Sequence, residues 1–294
     1  MILIVGGTGS LGRATARRLL GLGYVVRVMT RTPEKAYELS VLGAEIVQGN
    51  LIDKKSLQRA CAGAEKVIAS AHAISGRGRE ASRYVDLRGH QDLIDVAKAA
   101  GVKRFVYASA HVYGSETDSV PFYQIKRQIE EYLQASGLDY TILRPTAFME
   151  SHAEWHIGQP VLEAGKVTLF GRGENPRNFV AADDVAQFLV MAMDDAGLSS
   201  QTIDIGGPEN LTNMDVVRLY EELAGRPAKV RHVPLGMLQV MCWVLRPFRP
   251  GLSQIIQSRI YADTQDCTFD PSPMLSRYPV NLTRLADWAR RRMK

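Results

Sequence analysis

Residues 1–12 read Met-Ile-Leu-Ile-Val-Gly-Gly-Thr-Gly-Ser-Leu-Gly, a short apolar strand running into a glycine-rich turn, with a helical stretch over 14–22 directly behind it. Gly6, Gly9 and Gly12 fall at G-x-x-G-x-x-G spacing. A diphosphate needs that construction. Gly6 turns the chain off the strand, and Gly9 has no Cβ to hold phosphates away. Gly12 lets the helix pack on the sheet while its first amides face the anion. Thr8, Ser10 and Leu11 complete the turn. A ligand-free turn is the alternative, but strand, turn and helix in this order are the context the motif requires.

Behind that turn, strands and helices alternate. Strands are predicted at 2–5, 25–29, 45–47, 66–69, 104–108 and 140–143, and helices near 11–22, 33–41, 54–61, 82–100 and 122–136. Six β-α steps imply an α/β fold, a doubly wound parallel sheet of Rossmann type with helices on both faces. The expected division is a nucleotide-binding domain over 1–145 and a smaller, mainly helical substrate-binding subdomain over 146–294. Residues 180–206 rejoin the sheet. The stretch 146–178, with five glycines or prolines between 158 and 173 and another at 176, reads as irregular. Helices follow at 183–194, 212–224, 235–246, 252–262 and 282–293, with a strand at 202–205.

The second strand ends Val28-Met29-Thr30-Arg31. An acidic residue there would accept hydrogen bonds from a free ribose 2′-hydroxyl, as in NAD. Arg31 can instead fork onto a 2′-phosphate, so NADP(H) is expected over NAD(H), with Arg13 adding charge. Asn50 and Leu51 follow the third strand, where a polar side chain would meet the adenine edge. Ser70, Ala71 and His72 close the fourth strand and are expected beside the cofactor.

The stretches Gly101-Val-Lys-Arg-Phe-Val-Tyr-Ala-Ser109, Ser136-Gly-Leu-Asp-Tyr-Thr-Ile-Leu-Arg-Pro145, Asn178-Phe-Val-Ala-Ala-Asp-Asp-Val185 and Ile205-Gly-Gly-Pro-Glu209 join the glycine turn in a wider resemblance. The chain resembles the atypical short-chain dehydrogenase/reductases, especially their NmrA-like and complex I accessory-subunit-like branches, over nearly its whole length. The resemblance implies a serine that orients a carbonyl and a tyrosine four residues before a lysine that donates the proton. Ser109 occupies the serine position and Lys126 the lysine position. Phe122 stands where the tyrosine belongs, and Tyr123 lies roughly 100° away around the helix. The usual acid is missing. His111, Tyr113, Lys126 or a water is left to protonate the product; otherwise a conjugated acceptor takes hydride without a strong acid, or the protein binds NADP and catalyses nothing. Pro145 closes the sixth strand near the expected nicotinamide position.

Phe122, Phe148, Met149, Trp155 and Phe179 are expected to line an apolar substrate pocket. His152 and His156 stand at i, i+4, but Ala153 replaces the glutamate of the zinc-protease pattern and no third ligand is evident, so no metal is expected. Asp183 and Asp184 are read as helix caps. Residues 235–245 are strongly apolar and lead into Arg246-Pro-Phe-Arg249, which suits domain packing, with membrane or partner contact as the alternative. The +5 net charge is modest, and the basic end, Arg290 to Arg292 with Lys294, reads as a solvated helix terminus. No basic stripe with interleaved aromatics suggests nucleic-acid binding. Three scattered cysteines imply neither a disulfide framework nor a zinc cluster. A cytoplasmic monomer or homodimer acting on a small molecule is expected, with an NADP-binding sensor or assembly factor as the rival.

Overall fold

A computed structural model describes residues 1–73, 76, 78–113 and 120–293. Gly114 and Lys294 lie outside the described residues. The first strands and helices follow in strict alternation: β1 (Ile2–Val5), α1 (Ser10–Gly21), β2 (Val26–Thr30), α2 (Tyr37–Val41), β3 (Glu45–Gln48), α3 (Lys54–Cys61), β4 (Lys66–Ala69), α4 (Gly89–Ala99), β5 (Arg104–Ala108), α5 (Pro121–Ala135) and β6 (Asp139–Pro145). A further strand, β10 (Gln201–Ile205), completes a seven-stranded sheet in the order β10-β6-β5-β4-β1-β2-β3. Strands β1 to β6 pair in parallel. The order reverses between β1 and β4, which sets the crevice at the carboxyl ends of those strands.

Nearly continuous burial of β1, β4 and β5 explains their unbroken apolar runs, since both faces of this sheet are covered. Leu3, Val5, Val67, Phe105 and Tyr107 face one core with Leu57, Leu93 and Ile129 from α3, α4 and α5. A π-helical segment, Arg83–Arg88, leads into α4.

Two compact units divide the chain. The first comprises 1–110, 123–144 and 185–203; the second comprises 111–122, 145–184 and 204–294. The second unit is built from β7 (Ala147–Phe148), α6 (Gln159–Ala164), β8 (Lys166–Phe170), β9 (Arg177–Val180), β11 (Asn210–Leu211), α8 (Asn213–Ala224), β12 (Lys229–Val233), α9 (Leu235–Leu245), α10 (Pro250–Thr264), α11 (Ser272–Arg277) and α12 (Leu285–Arg292). Helix α7 (Ala182–Asp194) runs largely in the first unit.

Residues 146–178 are therefore not irregular. They carry two strands paired with later ones, β7 with β9 and β8 with β12, and a ten-residue π-helical stretch, Met149–Gly158. Val167 and Leu169 turn inward while Lys166, Thr168 and Phe170 turn out. Gly158 is required there because a Cβ would stand 2.3 Å from the buried Tyr220 ring. Among the described residues no helix is long and apolar enough to cross a membrane.

Candidate functional site

Helix α1 begins at Gly9 with no side-chain cap and no acidic residue in its first turn. The early amides of a helix have no intrahelical acceptor, so this end presents unneutralised donors. The three glycines earn their places differently. Gly6 has φ +92°, and a Cβ would sit 2.6 Å from the Ala71 amide nitrogen. A Cβ on Gly12 would sit 2.3 Å from the Gly6 carbonyl oxygen. One on Gly9 would meet only that oxygen, at 3.5 Å, and otherwise project into open space. Gly6 and Gly12 thus fit the fold, whereas Gly9 leaves room for something outside it. That pattern fits a diphosphate cradle.

Around the turn, Thr8 Oγ1 lies 3.5 Å from Thr30 Oγ1, and Ser70 Oγ donates to the Val5 carbonyl at 3.2 Å. Arg31 is exposed at the end of β2 and pairs with Glu80 at 2.7 Å. Arg13, expected to add charge for a phosphate, instead bonds Glu38 at 3.0 Å and the Lys35 carbonyl at 3.1 Å. Asn50 uses its carboxamide oxygen to accept from the Ile52 amide at 3.3 Å, a local turn. Leu51 is a core residue, packed where a Cβ on Gly89 would meet it at 2.7 Å. His72 is exposed, and Pro145 is buried at the end of β6.

Lys126 and Ser109 belong to a buried polar network. Lys126 is 6% exposed; its Nζ donates to the Ala108 carbonyl at 3.0 Å and lies 4.8 Å from the centre of the Tyr107 ring. Burial pushes its pKa down to about 8, against the opposing pull of Asp86 and Glu130. The Ser109 hydroxyl donates to the Glu130 carboxylate, which is forked by Arg144 Nε at 3.1 Å to each oxygen and by Nη2. The serine proton points at Glu130, so its oxygen presents lone pairs rather than a donor. Asp86 accepts from the Ala73 amide at 2.8 Å and from the Ser82 hydroxyl. His90 is fully buried, and its Nδ1 lies 2.6 Å from the Asp86 carbonyl oxygen. Burial, helped by the Lys126 charge, lowers His90 to about 4 and keeps it neutral at pH 7. Sequence reasoning missed Asp86, His90 and Glu130. Glu130 carried a signal: it stands one turn beyond Lys126, on the helix face that buries Ile129 and Leu133.

In the second unit, His111 Nδ1 lies 2.7 Å from Asp204 Oδ1, with Tyr113 and Phe269 edge-on to its ring at 4.6 and 5.2 Å. The Tyr261 hydroxyl donates to the Tyr113 carbonyl. Of the expected pocket residues, only Phe122 and Phe148 are half-buried; Met149 and Phe179 sit in the apolar core, and Trp155 is 67% exposed. Met149 and Phe179 pack with the core of the second unit. His152 and His156 hold their rings 6.2 Å apart. Among the described residues, no group of three His, Cys, Asp or Glu side chains could hold a metal ion.

Asp183 and Asp184 stand in the first turn of α7, as expected of carboxylates at a helix start, and further partners join them. Glu150, 32 residues upstream, accepts from the Ala182 amide at the start of α7, while Asp184 accepts from the Thr283 amide at 2.7 Å and hydroxyl at 2.9 Å. At the basic end, Arg292 is not simply solvated: it bonds Glu154 at 2.8 Å and lies over the Trp288 ring. Helix α9 leaves Met237, Val240 and Trp243 exposed, the last by 79%, and Phe248 beyond it by 78%.

The photosystem II assembly factor Ycf39 of Guillardia theta is 30% identical over 295 residues, covering 98% of this chain and 92% of the relative. An NAD(P)H azoreductase of Xenophilus azovorans is 30% identical over 242 residues, covering 81% and 78%. Among solved structures, the NADPH-dependent quinone oxidoreductase QOR2 of Escherichia coli complexed with NADPH superposes with a TM-score of 0.76 at 23% identity, covering 100% of both chains. The NmrA-like family profile matches residues 1–272, and with that match the chain belongs to the NmrA-like family.

Proposed function

We propose that this chain is an NADPH-dependent reductase of a small apolar molecule, delivering hydride to a conjugated double bond or carbonyl without a phenolic proton donor. The observation that carries the reading is the start of α1, which has no side-chain cap and no acid in its first turn and where a Gly9 side chain would meet little but open space. The opening amides of α1 would hold the diphosphate. Arg31 would take the 2′-phosphate, because its exposed pair with Glu80 is worth at most about 1 kcal/mol and can be exchanged. NADPH supplies the hydride when bound.

Lys126 does the remaining electrostatic work. Most Lys126 side chains are protonated at neutral pH, and a buried ammonium stabilises negative charge developing nearby more strongly than a solvated one. Ser109 is a positioning residue, fixed by Glu130 and Arg144. The most readily reduced acceptors should be those whose anion is delocalised, such as quinones, azo compounds and enones, since they need no strong acid. The names of the azoreductase and quinone oxidoreductase relatives support this class.

NADPH oxidation should be screened across quinones, azo dyes, enones and simple ketones, with wild type and Phe122→Tyr side by side. Turnover of conjugated acceptors by wild type is expected. Silence on every acceptor, with activity appearing only in Phe122→Tyr, overturns the reductase reading.

A second reading is favoured by the bare apolar surface of α9 and by the assembly-factor relatives. An assembly factor would dock a protein partner there and use the dinucleotide as a sensed ligand. It predicts cofactor binding without turnover, and partner affinity that changes reciprocally with NADPH and NADP⁺.

A further inference from the structure

The second unit contains a small pocket that the reductase reading does not use. We propose that it binds the phosphate group of a small molecule between the guanidinium groups of Arg177 and Arg259. Arg177 comes from β9 and Arg259 from α10, and both line the cavity with His156, Thr168, Asn213 and Asp263. Arg177 is 9% exposed, and its Nε is buried without a hydrogen-bond partner. Among the described residues, neither guanidinium comes within 4.0 Å of a carboxylate. The Phe179 ring lies 5.3 Å from the Arg177 guanidinium carbon.

Asp263 is the single acid in the lining, and it is engaged elsewhere. Its carboxylate accepts from the amides of Arg172 at 3.0 Å and Gly173 at 2.9 Å, with Arg172 Nε at 3.6 Å. A Cβ on Gly171 would clash with that carboxylate at 2.3 Å, so the loop is clamped onto Asp263. The two arginines are left acting on each other's charge. Burial, then Arg177, lowers Arg259 to about 10; burial, then Arg259 and Arg177, lowers His156 to about 4. Holding a buried and a half-buried cation near one another without a counter-ion opposes folding, and an anion seated between them would reverse that.

Size and donor supply select the anion. The cavity measures about 40 Å³, the room of roughly three waters at 10–15 Å³ each, which suits one compact oxyanion group. Two guanidinium forks, with five N–H donors each, offer more donors than the two oxygens of a carboxylate engage. A tetrahedral phosphate, with three or four oxygens, matches them.

The test is calorimetry and thermal unfolding of the full chain with inorganic phosphate, methyl phosphate and acetate at constant ionic strength. Arg177→Gln, Arg259→Gln and Gly9→Ala are compared with wild type. Phosphate affinity is expected to fall about tenfold or more in each arginine variant and to persist in Gly9→Ala, which separates this pocket from the amide turn of α1. Without anion, the arginine variants should melt no lower than wild type; with phosphate, wild type should melt highest. Binding of methyl phosphate identifies an ester ligand, and binding of inorganic phosphate alone identifies the free ion; either supports the site. Wild type and Gly9→Ala together also decide, should the arginine variants not fold, because phosphate must raise the melting temperature of both where chloride does not. No saturable phosphate binding up to about 10 mM, equal binding in both arginine variants, or acetate binding as tightly as phosphate overturns the proposal.

Discussion

Adding one methyl group at Gly9 and at Gly12 should give opposite results, and the distances say why. At Gly9 the backbone has φ −76° and ψ 167°, which alanine adopts freely, and the added carbon meets nothing closer than 3.5 Å. Stability should therefore change by no more than about 1 kcal/mol, the modest difference between alanine and glycine at an N-cap. For a chain of this size that is roughly 2–4 °C in Tm. The same methyl fills the space reserved for the diphosphate. It should remove one or two charge-assisted hydrogen bonds worth about 1.5–3 kcal/mol each, lowering NADPH affinity by about 10-fold or more. At Gly12 the methyl would lie 2.3 Å from the Gly6 carbonyl and 2.7 Å from Gly7 Cα, both backbone atoms that cannot swing aside. Overpacking of this kind costs about 1–3 kcal/mol or more, so Gly12→Ala should show a clear fall in Tm. Differential scanning fluorimetry and titration calorimetry with NADPH read both effects. A Gly9→Ala chain that binds NADPH as wild type does would refute the cradle.

Other perturbations probe the rest of the account. Arg31→Gln should leave Tm within a few degrees, because it breaks only an exposed pair, yet weaken NADPH about tenfold while sparing NADH; equal loss for both cofactors contradicts the assignment. Glu130→Gln should cost about 2–3 kcal/mol by leaving Ser109 and Arg144 poorly partnered, measured by urea unfolding; an unchanged midpoint contradicts the network. Lys126 has a folded pKa of about 8 against an ordinary 10.5, so the unfolded chain binds more protons between those values and stability rises with pH there. Lys126→Met removes that penalty, and its stability advantage over wild type should be full below pH 8 and fade by pH 10.5; a difference independent of pH refutes the burial argument. Trp243→Ser with Phe248→Ser should leave Tm within about 0.5 kcal/mol-equivalent of wild type, because both side chains are already solvated. Loss of a pulled-down partner by that pair, with NADPH binding kept, favours the assembly reading.

Much of the first unit was legible because local rules and global packing agree there. The strands buried on both faces appear as unbroken apolar runs, and the spacing of the glycine turn dictates its own geometry. The stretch 146–178 was less legible for physical reasons. A π-helical segment breaks the 3.6-residue period, and two-residue strands such as β7 leave no periodic trace. Strand β8 was readable, since Lys166 to Phe170 alternate cleanly, but the surrounding glycines masked it. Nothing local could show that Glu150 caps α7, or that Arg177 and Arg259 share a cavity across 82 residues of chain, because folding alone brings those partners together. Met149 and Phe179 show the converse limit: apolar side chains near a site satisfy core and pocket patterns equally in sequence, and burial decides for the core.

The most direct measurement is a calorimetric titration of the purified chain with NADPH and, separately, with NADH. Saturable binding of NADPH, tighter than NADH by the contribution of the Arg31 guanidinium, is the expected result. Absence of heat and of competition for both nucleotides at about millimolar concentration would contradict the central claim that the opening amides of α1 seat a dinucleotide diphosphate.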